Sequence, residues 1–330
     1  MNDIQRYLVE EHVEDFHDRL IDRRELFRRV TIILGSSAAA TAFLAACGVQ
    51  PSGPATASAP ATAAPTAAAT VAASPAGPFA TPPAAATTDG ITVKPDDPRI
   101  TAGPVTVKAA DGASLIGYMS RPKADGKYPG ILVIHENRGL LEHIKDVARR
   151  YATAGYAAIA IDLASRDGGA DKLTDQAAYN AVLGKMTPAG MAKDLQDAIA
   201  HLKTQTFVNT AKIGATGFCF GGGMTWSLLN FAPASVQAAV PYYGPAPTDV
   251  AGIGTTKAAV LAVYAEQDTR VTSGKDTIEP LLKQAGVPYL INVYPGVNHA
   301  FHNDTGTRYS ADQARKAYAD TVEWFKKYLA

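Results

Sequence analysis

Cysteine is scarce in this chain of 330 residues: only Cys47 and Cys219 occur. They stand in very different contexts, so they are not read as a disulfide. Charge of neither sign prevails, because 31 Lys and Arg face 31 Asp and Glu. Nothing in that balance calls for nucleic acid or an acidic partner. No apolar run has the length of an ordinary spanning helix; the run from Val30 to Ala46 is short and rich in alanine. No internal repeat is apparent. His135 has no second ligand at a recognisable spacing, so no metal is expected. From Val49 to about Asp89 charge almost disappears and Ala, Pro, Thr and Ser take over. Such a stretch cannot bury enough apolar surface to offset its ordering entropy, and it reads as an extended tether.

What is present divides the chain into three expected parts: residues 1–47, 48–90 and 91–330. The first part resembles an export signal and is expected to stand outside the fold. Asp22-Arg23-Arg24-Glu25-Leu26-Phe27-Arg28 is similar to a twin-arginine signal. The apolar run follows, and it ends in Leu44-Ala45-Ala46-Cys47-Gly48, which resembles a bacterial lipobox. That resemblance implies lipid attachment at Cys47 and a domain held on the outer face of the cytoplasmic membrane or in the cell envelope. The third part is long enough for one sizeable α/β domain, expected to be monomeric.

Within that part, apolar runs alternate with helical spacing. Val105–Ala109 and Leu115–Met119 flank Asp111-Gly112 as a hairpin. Gly130–His135 is a nearly all-apolar strand of the kind buried in a parallel sheet. Glu142–Ala154 shows helical spacing, with Ile144, Val147, Ala148 and Tyr151 on one face. Further strands are expected at Ala157–Ile161, Ala211–Thr216, Ala238–Tyr242, Ala258–Tyr264 and Tyr289–Tyr294, with a closing helix at Ala311–Leu329. Strands alternating with helices predict a mostly parallel sheet covered on both faces.

The chemistry centres on Gly217-Phe218-Cys219-Phe220-Gly221, followed by Gly222 and Gly223. A nucleophile between two glycines, at a strand-to-helix turn, resembles the nucleophile elbow of α/β-hydrolases, with cysteine in the place of serine. Side chains two residues from the nucleophile would obstruct so tight a turn, which explains the glycines. The helix N-terminus aims N–H groups and a positive dipole end at the thiol, favouring thiolate and oxyanion alike. A cysteine nucleophile needs a base, and the base needs an orienting acid. In this fold the order is nucleophile, acid, histidine. Only His299 and His302 lie downstream of the elbow, and His299 follows a strand directly. For the acid, Asp268 has the needed order and placement, with Glu266 as its rival. The backbone N–H groups of Phe220 and Asn137 are the expected oxyanion donors.

With these residues in place, Lys127–Ala330 is similar to the dienelactone hydrolase family, the carboxymethylenebutenolidases and their relatives. The resemblance implies an α/β-hydrolase fold and hydrolysis of a small ester or lactone without a cofactor. It implies that Glu136, in His135-Glu136-Asn137-Arg138, contacts the resting thiol and keeps it neutral. It also implies that Arg166 and Tyr243 line the substrate site. The family's second carboxylate-binding arginine falls at Asn303, and a neutral amide cannot form that charged bidentate pair. A broad esterase or thioesterase with another substrate is therefore a second reading. A tethered binding protein that has lost its chemistry is a third.

Overall fold

The structure, a computed structural model, describes residues 1–49 and 92–330. The tether expected over residues 48–90 lies almost wholly outside the described residues. The alternating pattern of the catalytic part becomes eight strands in one sheet, ordered β1-β2-β4-β3-β5-β6-β7-β8. Among the described residues three helices precede it: α1 (Asp3–His17), α2 (Arg23–Leu34) and α3 (Ser37–Ala46). Then come β1 (Ile100–Lys108), β2 (Ser114–Pro122), β3 (Tyr128–Ile134), α4 (Glu142–Thr153) and β4 (Ala157–Ile161). The chain continues through α5 (Gly169–Lys172), α6 (Gln176–Leu183), α7 (Pro188–Lys203), β5 (Val208–Phe218) and α8 (Phe220–Phe231). It closes with β6 (Ala238–Tyr242), β7 (Ala259–Ala265), α9 (Thr269–Thr272), α10 (Lys275–Ala285), β8 (Tyr289–Tyr294) and α11 (Ala311–Leu329).

The hairpin at Asp111-Gly112 forms as expected, with Lys108 opposite Ser114. β2 also pairs antiparallel with β4, and every pairing from β4 through β3 to β8 is parallel. The middle strands are apolar throughout because both faces are covered. Neighbouring glycines show how. A Cβ on Gly130 would meet Leu202 of α7 at 2.7 Å and its sheet neighbour Ile213 at 2.8 Å. The next position beyond Ile213 points to the other face, where a Cβ on Gly214 would meet Leu329 of α11 at 2.9 Å. This is the α/β-hydrolase fold, with the C-terminal ends of the parallel strands gathered at one edge.

In the structure residues 1–49 pack against this fold. A capping box starts α1, with Asn2 accepting from the Gln5 N–H at 2.8 Å. Ile4, Leu8, Val9 and Val13 of α1 are buried, as are Leu26, Val30 and Ile33 of α2. Polar links reinforce the docking. Asn2 Nδ2 donates to the Gly184 carbonyl at 2.9 Å, and Arg28 pairs with Asp175 at 2.9 Å. The amphipathic spacing that docks α1 lies ahead of the arginine pair and the apolar run. Among the described residues no single helix is long and apolar enough to cross a membrane. α2 and α3 together have the length and composition but bend by 119° between them. Cys47 is exposed and unpaired at the end of α3.

Candidate active site

Cys219 sits alone between β5 and α8, with φ 58° and ψ −119°. For a non-glycine residue this backbone costs about 1–3 kcal/mol, so the surroundings must enforce it. They do: its N–H donates to the Tyr242 carbonyl at 3.1 Å, and the flanking glycines let three backbone segments meet. A Cβ on Gly217 would lie 2.1 Å from the Gly221 carbonyl oxygen, and one on Gly222 would lie 2.3 Å from that of Tyr242. Phe220 is the first residue of α8, so its N–H has no acceptor within the helix. Tyr243 and Ala300, close to the thiol, also have positive φ, at 34° and 61°. Strain is thus gathered at one end of the sheet.

The loops after β7 and β8 bring Asp268 and His299 together. His299 Nδ1 lies 2.6 Å from Asp268 Oδ2, and Asp268 Oδ1 accepts from the Val271 N–H at 3.3 Å. Burial works against the Asp268 carboxylate, but His299 outweighs it and holds the group below its ordinary range. Glu266, the rival, instead accepts from the Gly296 N–H at 2.8 Å. His302 is packed away, its ring 5.0 Å from that of Phe218, and burial pushes it well below the usual histidine range. Cys219 Sγ and a ring nitrogen of His299 lie within 4.8 Å of each other and of a Glu11 oxygen. These three side chains could hold a soft cation, but the Arg270 guanidinium already supplies the countercharge to Glu11.

Residues 115–329 match the dienelactone hydrolase family. The chain belongs to that family. A candidate carboxymethylenebutenolidase of Methylorubrum extorquens is 35% identical over 263 residues, spanning 76% of this chain and 88% of its own. One from Escherichia coli K12 is 32% identical over 258 residues, spanning 74% of this chain and 94% of its own. A solved candidate dienelactone hydrolase of Klebsiella pneumoniae superposes with a TM-score of 0.64 at 29% identity, over 69% of this chain and 99% of that one. Like its relatives, this dienelactone hydrolase family member is a hydrolase acting on ester bonds.

The structure rearranges the family's expected surroundings of the thiol. Glu136 is buried, but its Oε2 accepts from Asn303 Nδ2 at 2.6 Å, so the amide that replaces the arginine grips this carboxylate. A second carboxylate, Glu11 of α1, lies 3.8 Å from Sγ, and both it and Glu136 push the thiol pKa up. Arg166 does not turn to the site: Asp111 and Asp194 hold its guanidinium at 2.9 and 2.7 Å. Two acids outside the cleft compete successfully for a charge expected to face substrate. Tyr243 is fully buried, its ring 5.0 Å from that of His299. Asn137 and Arg138 line the small cavity of about 90 Å³ at Cys219. His135 is fully engaged: Nδ1 is 2.6 Å from the Glu136 carbonyl oxygen and Nε2 accepts from the Leu163 N–H at 2.9 Å.

Sequence reasoning missed Tyr7, Glu11 and Arg270. The Tyr7 hydroxyl lies 3.2 Å from Cys219 Sγ, and Glu11 Oε2 lies 3.4 Å from His299 Nε2. The only sequence signal for them was the capping box and apolar spacing of α1. Their electrostatic effect is large. Burial first, and then Glu11, push the Cys219 thiol above its ordinary value, against the pull of His299. Burial favours neutral His299, but Glu11, Asp268 and Cys219 together raise it well above the usual range. A thiol whose pKa is raised stays protonated at neutral pH and ionises only as pH climbs past its ordinary value. Alkylation of Cys219 by iodoacetamide, read from the mass of its peptide, should therefore rise about tenfold per unit from pH 7 and still be rising at pH 9. A plateau below pH 8 would reveal a stable thiolate instead.

Proposed function

We propose that this chain hydrolyses carboxylic esters or lactones through Cys219, His299 and Asp268, by way of a thioester. The observation that carries the reading is the strained elbow cysteine facing a histidine whose far nitrogen is 2.6 Å from a buried carboxylate. The substrate carbonyl lies against the N–H groups of Phe220 and Asn137. His299 takes the thiol proton, Cys219 attacks, and the tetrahedral intermediate collapses to the thioester as His299 protonates the leaving oxygen. Water, deprotonated by His299, then attacks the thioester and releases the acid and the thiol. Asp268 holds the imidazole tautomer throughout. No cofactor enters. Cys47 and the segment before it are proposed as a lipid-anchored export signal that places the enzyme outside the cytoplasmic membrane.

A specific observation favours a neutral ester over a dienelactone as substrate. Asn303 is bound to Glu136 and Arg166 to two aspartates, so neither of the family's two carboxylate-binding positions offers a free cation. A charge-assisted carboxylate contact contributes about 1.5–3 kcal/mol. Its loss should leave kcat/KM for a neutral aryl ester about tenfold or more above that for a carboxylate-bearing dienelactone. The test is an ester and lactone panel on the intact chain, with acid quenching and mass spectrometry. The expected result is an acyl adduct on Cys219 during turnover. Turnover with the acyl group found on another residue would overturn the mechanism.

A further inference from the structure

We propose that α1 is a resident plug in the catalytic cleft, and that substrate reaches Cys219 only when this helix withdraws. The inference goes beyond the proposed reaction, since it concerns access to the thiol and not the chemistry performed there.

The argument is first one of space. An attacked carbonyl carbon must approach Sγ to about 3–3.5 Å. Tyr7 already holds its hydroxyl 3.2 Å from that sulfur, and Glu11 holds a carboxylate oxygen 3.8 Å from it. Cys219 is 4% exposed and His299 1% exposed as a result. A larger cavity of about 320 Å³ lies beside them, walled by Ile4, Tyr7 and Glu10 of α1 on one side and by Phe220, Met224 and Pro245 on the other. α1 therefore occupies the place of the reacting group and forms one wall of the adjoining apolar cavity. Helix and substrate cannot share the site.

The second argument is charge. α1 presents an acidic face to two arginines of the catalytic part. Arg270, two residues beyond Asp268, pairs with Glu11 and with Glu14 at 2.8 Å, and its guanidinium lies 5.2 Å from the centre of the Tyr7 ring. Arg308 pairs with Asp15 at 3.2 Å and with Asp18 at 2.6 Å. The charged and titratable groups facing the thiol and the imidazole are Tyr7 and Glu11 from α1, Asp268 and Arg270 after β7, Tyr243 after β6 and Glu136 after β3. Of these, Glu11 both disfavours the thiolate and holds the imidazole protonated, the reverse of the state in which His299 accepts a proton. Withdrawal of α1 removes steric and electrostatic inhibition together. The plug also lies ahead of Cys47, within the segment proposed as an export signal, so cleavage there would release it from the enzyme.

The test uses the intact chain carrying Cys47→Ser, which leaves one thiol to follow. The double substitution Glu11→Gln and Glu14→Gln removes two of the three Arg270 pairs with α1, leaving the longer one to Glu10 at 3.9 Å, with little change of shape. Iodoacetamide labelling of Cys219 at fixed pH should accelerate about tenfold or more as the open population grows, and Asp15→Arg, which leaves Glu11 in place, separates that opening from the direct effect of Glu11 on thiol ionisation. Charge reversal supplies a control for misfolding. Asp15→Arg should speed labelling, and adding Arg308→Asp should slow it again, which an unfolded chain would not do. Labelling at the parent rate in both opening variants would overturn the plug. The readout is independent of the proposed reaction: faster labelling without ester turnover removes the proposed function and keeps the plug.

Discussion

Replacing Cys219 with alanine is expected to lower the turnover of aryl esters by about 10⁴-fold or more, leaving only what the oxyanion donors and binding supply. His299→Ala should cost a similar factor, because the thiol at this site is protonated at rest and His299 is the imidazole that lies within 4.8 Å of it. The two losses should not add. Once the nucleophile is gone the base has nothing to activate, so the double variant should be about as slow as either single one. Asp268→Asn tests the third member differently. The amide has nearly the shape of the carboxylate, but it lacks the charge that sits 2.6 Å from His299 Nδ1. It should lower kcat by about 10³- to 10⁴-fold with little change in stability. Steady-state kinetics on a p-nitrophenyl ester checks all four variants. A Cys219→Ala variant retaining a tenth of the parent rate would remove the thiol from the mechanism.

Some of this site was legible in the sequence because its causes are local. Gly217 and Gly221 flank Cys219 for a steric reason that acts within five residues, so the string of letters carries it. Asp268 and His299 were found because the chain order of the fold and the ends of two apolar strands place them. The parallel sheet was legible from its buried runs for the same reason. What failed depended on contacts between distant segments. Arg166 was expected at the substrate, but Asp111 and Asp194, far apart in sequence from one another, take its charge. Equally hidden are the Asn303 amide that holds one oxygen of Glu136 and the second carboxylate, Glu11 of α1, that stands at the sulfur. No local pattern around residue 11 announces a partner more than 200 residues away. The arginine pair and apolar run of residues 23–46 suit both an export signal and a docked helical pair, and composition alone does not separate those two uses.

Gly221→Ala should damage both stability and turnover although it touches no catalytic group. A Cβ there would lie 2.3 Å from the Ile134 carbonyl oxygen and 2.6 Å from that of His135, both backbone atoms at the end of β3. Neither can turn aside as a side chain would, so α8 and the end of β3 must separate. Overpacking of this kind costs about 3 kcal/mol or more, which for a domain of this size lowers Tm by roughly 6–12 °C. The same separation moves Phe220 and Asn137, the two proposed oxyanion donors, away from each other. A displacement near 1 Å at such a site lowers kcat by about 100-fold. Gly103→Ala is the matched control, since a Cβ there meets nothing within 4 Å. It should stay within about 0.5 kcal/mol of the parent and keep full activity. Thermal unfolding and ester kinetics on the two variants read both effects. An unchanged Tm in Gly221→Ala would mean that the elbow does not need the close approach of helix and strand on which the placement of Cys219 depends.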